Sequence, residues 1–224
     1  MKAATNTPLD KLLGGGIERD AVTNIYGPAG SGKTNIALCA ALRCARDRRK
    51  VLYIDTEGSF SLERFRQLGG DDDLLGRIIF IEPHAWTEQH DKLLGIEDIV
   101  DKEQIDLIIV DSLVALYRLE LDKENFSAIN KQLATQYSVL SRITRKHKIP
   151  VIVTNHVYSL GDERIELTSR TIAKYWSKAL IELRKLEKPN HRVAIVRKHR
   201  SVPEGKTIEF EIAEGKLKEV RGFL

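Results

Sequence analysis

Short runs of Val, Ile and Leu alternate along this chain with longer stretches in which apolar residues return every three or four positions. The runs at 22–26, 51–55, 78–81, 107–112 and 151–154 are almost continuously apolar, which predicts strands buried on both faces. Helical spacing fills the intervals. Residues 34–49 put Ile36, Ala37, Ala40, Ala41 and Cys44 on one face, and 61–68 and 87–100 predict two further helices. The stretch 125–147 predicts a long helix, apolar at Phe126, Ile129, Leu133, Tyr137, Leu140 and Ile143. A short helix opens the chain, with Thr7 as N-cap, Pro8 in the first turn and Asp10 complementing the dipole; Gly14, Gly15 and Gly16 stop it. Strands alternating with helices mean an α/β fold with a mainly parallel twisted sheet and helices on both faces. Beyond residue 177 the period becomes two, at 179–184, 192–197 and 207–212, and these strands are expected to extend the sheet as antiparallel edge strands. No repeat, low-complexity tract or linker divides the chain, so one domain is expected over 1–224.

Composition changes this picture little. With 36 Lys and Arg against 32 Asp and Glu, the formal charge is +4, which permits a nucleic-acid partner without demanding one. Local basic clusters occur at 43–50, 142–148 and 197–200, and the first two read as solvated helix faces. No apolar run approaches a membrane span and the N-terminus lacks a signal-peptide core, so a cytoplasmic location is expected and a membrane role is not. Cys39 and Cys44 point in different directions on one helix and read as packing residues. The six histidines lack metal-ligand spacing, and no structural zinc is expected.

One motif carries chemistry by itself. Gly27-Pro28-Ala29-Gly30-Ser31-Gly32-Lys33-Thr34 fits G-x-x-x-x-G-K-[ST] between a strand and a helix. Glycines let backbone N–H groups curl round phosphate oxygens, and the helix N-terminus adds partial positive charge. Lys33 is placed for the β- and γ-phosphates and Thr34 for Mg²⁺. The motif thus predicts nucleoside triphosphate binding, and ligands on such sheets sit at the carboxyl ends of the strands. Asp111, ending the run 107–110, fits the second metal-side carboxylate. Ser112 stands where many ATPases have a glutamate, so a base must come from elsewhere. Glu57, ending the strand after the P-loop helix, can orient water for in-line attack, although a glutamate starting a helix is equally unremarkable. Thr154-Asn155-His156 end a third strand, where Asn155 and His156 can sense a γ-phosphate, and the loop 157–170 that follows is long for a compact domain.

Together, residues 5–17, the P-loop, Tyr53-Ile54-Asp55-Thr56-Glu57-Gly58-Ser59-Phe60, 107–112 and Val153-Thr154-Asn155-His156-Val157 resemble the ATPase core of RecA/RadA recombinases, in order and over nearly the whole chain. The tail 198–205 is most similar to that of the short archaeal RadA paralogues. The resemblance implies a RecA-like P-loop NTPase core using ATP and Mg²⁺, with Glu57 as catalytic glutamate beside Lys33. It implies that Arg64 and Pro203 sandwich the adenine, Pro203 coming from a neighbouring subunit. It also implies two DNA-binding loops, 117–128 with Arg118 and 157–170 with Arg164 and Arg170. Both loops also carry acids, which weakens the positive field a phosphate-tracking surface uses. Lys198 and Arg200 resemble paired cations that reach the next subunit's γ-phosphate; Lys198 stands where RadA often has a metal-holding aspartate. The family usually has glutamine where this chain has His156, and the protein is expected to lack the N-terminal helical DNA-binding domain and the Phe-x-x-Ala tether of RadA. The function this implies is a weak, DNA-modulated ATPase that binds DNA and assists homologous recombination and repair. Its partners would be DNA (single-stranded above all), a RadA-type recombinase and Holliday-junction-processing enzymes, with homo-oligomers open. A self-sufficient strand-exchange recombinase and a KaiC-like regulatory ATPase are the alternatives.

Overall fold

The computed structural model describes residues 2–159, 165–167 and 170–220, and side chains outside 158–170. In chain order the elements are β1 (Lys2–Ala3), α1 (Leu9–Leu12), β2 (Ile17–Glu18), β3 (Val22–Tyr26), α2 (Lys33–Arg46), β4 (Lys50–Asp55), α3 (Leu62–Gln67), α4 (Asp72–Leu75), β5 (Ile78–Ile81), α5 (Trp86–Leu94) and α6 (Ile96–Glu103). Then come β6 (Ile105–Asp111), α7 (Ala115–Glu120), α8 (Phe126–His147), β7 (Val151–Asn155), β8 (Val157–Ser159), β9 (Ile165–Leu167), α9 (Arg170–Trp176), β10 (Ala179–Lys185), β11 (His191–Lys198), β12 (Thr207–Ile212) and β13 (Leu217–Glu219). Among the described residues the main sheet has nine strands in the order β13-β12-β11-β10-β3-β7-β6-β4-β5.

Of the uniformly apolar strands, β3, β4, β6 and β7 are internal to the sheet and β5 lies at its edge, and apolar layers cover both faces. Val51 and Tyr53 of β4 join Ile36, Ala40 and Cys44 of α2 in one apolar layer. Their alternating neighbours Leu52 and Ile54 join Leu133, Tyr137 and Leu140 of α8 in the other. Strand period therefore splits each strand between two cores, which is why no polar face shows in the sequence.

The expectation for 179–184 is corrected in part. β10 pairs parallel to β3, with Ile181 opposite Ile25, and only β11, β12 and β13 run antiparallel. The reason is α9, which carries the chain across before β10 begins and so lets it enter in the direction of the parallel strands. The helix expected over 87–100 is two, α5 and α6, parted at Gly95. The helix expected to reach residue 49 ends at Arg46, since Arg48 takes φ 60°. In α1, Thr7 Oγ1 accepts from Leu9 N at 3.2 Å, while Asp10 turns back onto Thr5 N at 2.8 Å and Asn6 N at 2.9 Å, so its carboxylate serves the preceding turn. Cys39 and Cys44 are buried free thiols. No described helix is long and apolar enough to cross a membrane.

Candidate nucleotide site

Register gathers the strand ends at one edge: Tyr26 pairs with Asn155, Asp55 with Asp111, and Glu182 with Tyr26. The P-loop crosses this edge between β3 and α2. A Cβ on Gly27 would lie 2.4 Å from Leu183 O, so only glycine lets the loop approach β10 this closely. Gly32, with φ 101°, turns the chain into α2, whose N-terminus has no side-chain cap and no acid in its first turn. That leaves its N–H groups open to an anion. Lys33 is buried, and its Nζ donates to Gly27 O at 3.0 Å and Pro28 O at 3.1 Å. Burial lowers its proton affinity more than the carboxylates of Glu57 and Asp111 raise it. Ser31 Oγ is buried without a hydrogen-bond partner among the described residues. A buried ammonium, an unpartnered hydroxyl and an uncapped helix end fit a polyphosphate, so the ATP expected from the motif suits the residues present.

Asp111, 2 % exposed, closes β6. Its Oδ2 accepts from Tyr53 OH at 2.9 Å and Ser59 Oγ at 3.1 Å, and its Oδ1 accepts from Thr154 Oγ1. Burial, and then Asp111 itself, push the Tyr53 phenol well above its ordinary range, keeping it a donor. The carboxylate-and-hydroxyl donor set of Asp111 and Thr34 suits a hard cation such as Mg²⁺. Beside it, Asp55 Oδ1 accepts from Glu57 N at 3.2 Å and Ser59 N at 3.1 Å, while Oδ2 accepts from Phe60 N at 2.8 Å. Thr56 Oγ1 donates to Ser112 O at 2.6 Å, stitching the ends of β4 and β6 together. This turn aims Glu57 outward. Its carboxylate meets His156 Nε2 at 2.8 and 3.0 Å. Burial pushes the Glu57 carboxyl up, but the His156 bond and charge, Ser112 and Lys33 outweigh it, holding the group below its usual range.

Asn155, expected with His156 as a γ-phosphate sensor, ends β7 with its side chain turned inward. It is fully buried, and its Nδ2 donates to Tyr137 OH at 2.8 Å, as does Asn24 Nδ2 at 2.9 Å. Asn155 thus ties β7 to α8, and His156 alone of the two faces Glu57. Arg64 is fixed as a platform: it donates to Asn35 Oδ1 at 2.7 Å, Gln67 Oε1 at 3.1 Å, Ala213 O at 2.9 Å and Glu214 O. Ile212 Cδ1 lies 3.1 Å from where a Gly32 Cβ would stand, so the end of β12 walls the P-loop, and the residues that follow it carry the carbonyls Arg64 binds. Sequence reading missed Ile212, Ala213, Glu214 and Asn35, which no motif marks. It also missed Asp55, for which an aspartate followed by small polar residues was a turn signal.

Lys198, Arg200 and Pro203 are not brought to this edge. Lys198 pairs with Leu180 at the start of β10, the opposite end of the sheet, and its Nζ donates to Lys174 O at 2.5 Å. Arg200 binds Asp20 through two bonds of 2.6 and 3.2 Å and Glu18 at 2.6 Å. Pro203 is exposed between β11 and β12. None can serve the protomer's own P-loop. Arg118 is exposed on α7, next to Leu119 at 81 % exposure. Arg164 lies outside the described residues; Arg170 opens α9, its side chain outside them too. Away from the edge, ligand atoms of Glu97, Asp101 and His147 fall within 4.8 Å of one another, but Arg142 and Lys146 already hold Glu97 at 2.8 and 2.7 Å.

A family model described as Rad51 matches residues 2–220. The chain belongs to the Rad51 family. Within that family it is 41 % identical over 221 residues to a protein of Methanobrevibacter smithii named DNA repair and recombination protein RadB, covering 95 % of this chain and 94 % of the relative. A protein of the same name from Methanosphaera stadtmanae is 42 % identical over 216 residues, covering 94 % and 92 %. The crystal structure titled RadB recombinase superposes with a TM-score of 0.83 at 37 % identity, covering 98 % of this chain and all of that one. The RecA-like fold expected from the motifs is the fold observed, with the Rad51-family arrangement of a mostly parallel sheet and antiparallel C-terminal strands.

Proposed function

We propose that this chain is an ATP-binding, weakly hydrolysing, DNA-binding accessory protein of homologous recombination and repair. The observation that carries the proposal is Glu57, held ionised at the end of β4 within the electrostatic reach of Lys33. Glu57 is the group to orient water and take its proton; Lys33 and the P-loop amides hold the phosphates. Thr34 and Asp111 would hold Mg²⁺, which when bound neutralises charge on the phosphate oxygens. Arg64 offers its guanidinium face to the adenine. Slow turnover follows from resting contacts: Glu57 is engaged by His156 and Lys33 by Gly27 and Pro28 carbonyls. Relatives carrying the name DNA repair and recombination protein support the pathway. Arg118, Arg164 and Arg170 are the proposed DNA contacts, single-stranded DNA the preferred form, and a RadA-type recombinase or junction-processing enzyme the proposed protein partner. Pro203, Lys198 and Arg200, on the far edge, could act only on a neighbouring copy, so a homo-oligomer is part of the proposal.

The test is ATP hydrolysis with and without single-stranded DNA, in wild type and Glu57→Gln. The variant should lose about 100-fold or more of kcat while still binding ATP. DNA binding should weaken steeply with salt, as counterion release requires. Undiminished hydrolysis by the variant, or DNA binding indifferent to salt, would sink the reading.

A further inference from the structure

The β10–β11 connection brings two cations to the P-loop that no motif marks. Because β10 runs parallel to β3, its C-terminal end arrives beside Gly27, and antiparallel register sets Arg192 opposite Lys185. Arg192 donates to Gly30 O from Nε at 3.1 Å and Nη2 at 2.9 Å. The carbonyls of a phosphate-binding loop must turn outward for its N–H groups to turn inward. Arg192 holds one of them outward. Lys185 Nζ lies 3.1 Å from where a Cβ on Gly30 would stand, its Cε 3.3 Å away. That ammonium has no hydrogen bond or ion pair among the described residues. Its charge reaches the phosphate site, since it is one of the groups disfavouring the protonated form of Lys33, after burial. Two ammonium groups that repel across a glycine-rich loop exchange repulsion for attraction when a polyanion binds at that loop.

We propose that Lys185 is a phosphate-binding residue acting in cis on the diphosphate end of the nucleotide, and that Arg192 is its positioning partner, fixing the P-loop tip through Gly30. The assignment rests on the nucleotide reading above. It divides the cations by edge: Lys185 and Arg192 serve the protomer's own site, whereas Lys198 and Arg200 lie at the opposite end of the sheet.

Binding of ADP, ATP and AMP is measured by calorimetry for wild type, Lys185→Gln, Lys185→Arg, Arg192→Gln and Arg192→Lys, with steady-state ATP hydrolysis alongside. Lys185→Gln should weaken ADP and ATP about 5- to 10-fold, the size of one accessible charge–phosphate contact, and leave AMP unchanged. The loss should sit in KM rather than kcat, and Lys185→Arg should restore it. Arg192→Gln should weaken ADP and ATP to a similar extent, with partial rescue by Arg192→Lys. If Lys185→Gln binds ADP as tightly as wild type, or weakens AMP equally, the assignment fails while the ATP site stands. If wild type binds none of the three nucleotides, the nucleotide reading fails and this proposal goes with it.

Discussion

Replacing His156 by glutamine probes the contact between the candidate base and the strand that leads into β8. The two Glu57–His156 contacts, at 2.8 and 3.0 Å, join side chains only 28 % and 22 % exposed. A charge-assisted hydrogen bond contributes about 1.5–3 kcal/mol when fully sheltered. Partial exposure and salt reduce that to about 1 kcal/mol. In the proposed role as base, Glu57 would give up this contact to orient water, so the contact would add to the barrier. His156→Gln removes the imidazole contact, which should raise kcat at saturating ATP by up to about 5-fold. The pH profile supplies a second readout with a definite sign. Glu57 is held below its ordinary 4.5, so it stays ionised into more acid solution than a free glutamate does. With glutamine at 156 the carboxyl rises toward 4.5, and the acid limb of kcat/KM moves to higher pH. Steady-state hydrolysis across pH measures both effects, with Glu57→Gln as the inactive control. Unchanged or lower kcat in His156→Gln, with a static acid limb, would refute the reasoning.

Other outcomes follow from the same structure. Tyr137→Phe leaves the buried Nδ2 donors of Asn24 and Asn155 without their acceptor, and urea unfolding should show a loss of about 2 kcal/mol or more; a loss under about 0.5 kcal/mol would mean the amides find other acceptors. Arg200 holds Asp20 below its ordinary 3.8, and a depressed carboxyl stabilises the fold above its unfolded value and stops doing so as pH falls through the folded one. Arg200→Ala should therefore flatten the decline in the urea midpoint below pH 3.8, and an unaltered decline would assign it to other groups. Burial pushes the Cys39 and Cys44 thiols up to about 12, so the native protein should resist thiol reagents that label it at once in denaturant.

What local residue order could determine here, it did. An eight-residue P-loop between strand and helix is self-contained: its glycines, lysine and threonine work within one turn of chain, so Gly27 to Thr34 and the strand–helix unit around them were legible directly. The uniformly apolar runs likewise revealed strands covered on both faces, since burial on both sides leaves no polar alternation. Asp111 and Glu57 were visible as carboxylates at strand ends, but their partners were not. Tyr53, Ser59 and Thr154 meet Asp111 only because β4, β6 and β7 lie side by side in register, and His156 finds Glu57 across 99 positions of chain. Direction, too, escaped the sequence. A period-two strand reads alike either way, and β10 is parallel because α9 returns the chain to the proper end. That one direction decides the cation geometry, carrying Lys185 to the P-loop and leaving Lys198 at the far edge. Residue types set which chemistry was possible; strand order and register, which bring distant residues within hydrogen-bonding distance, decided which groups share the site.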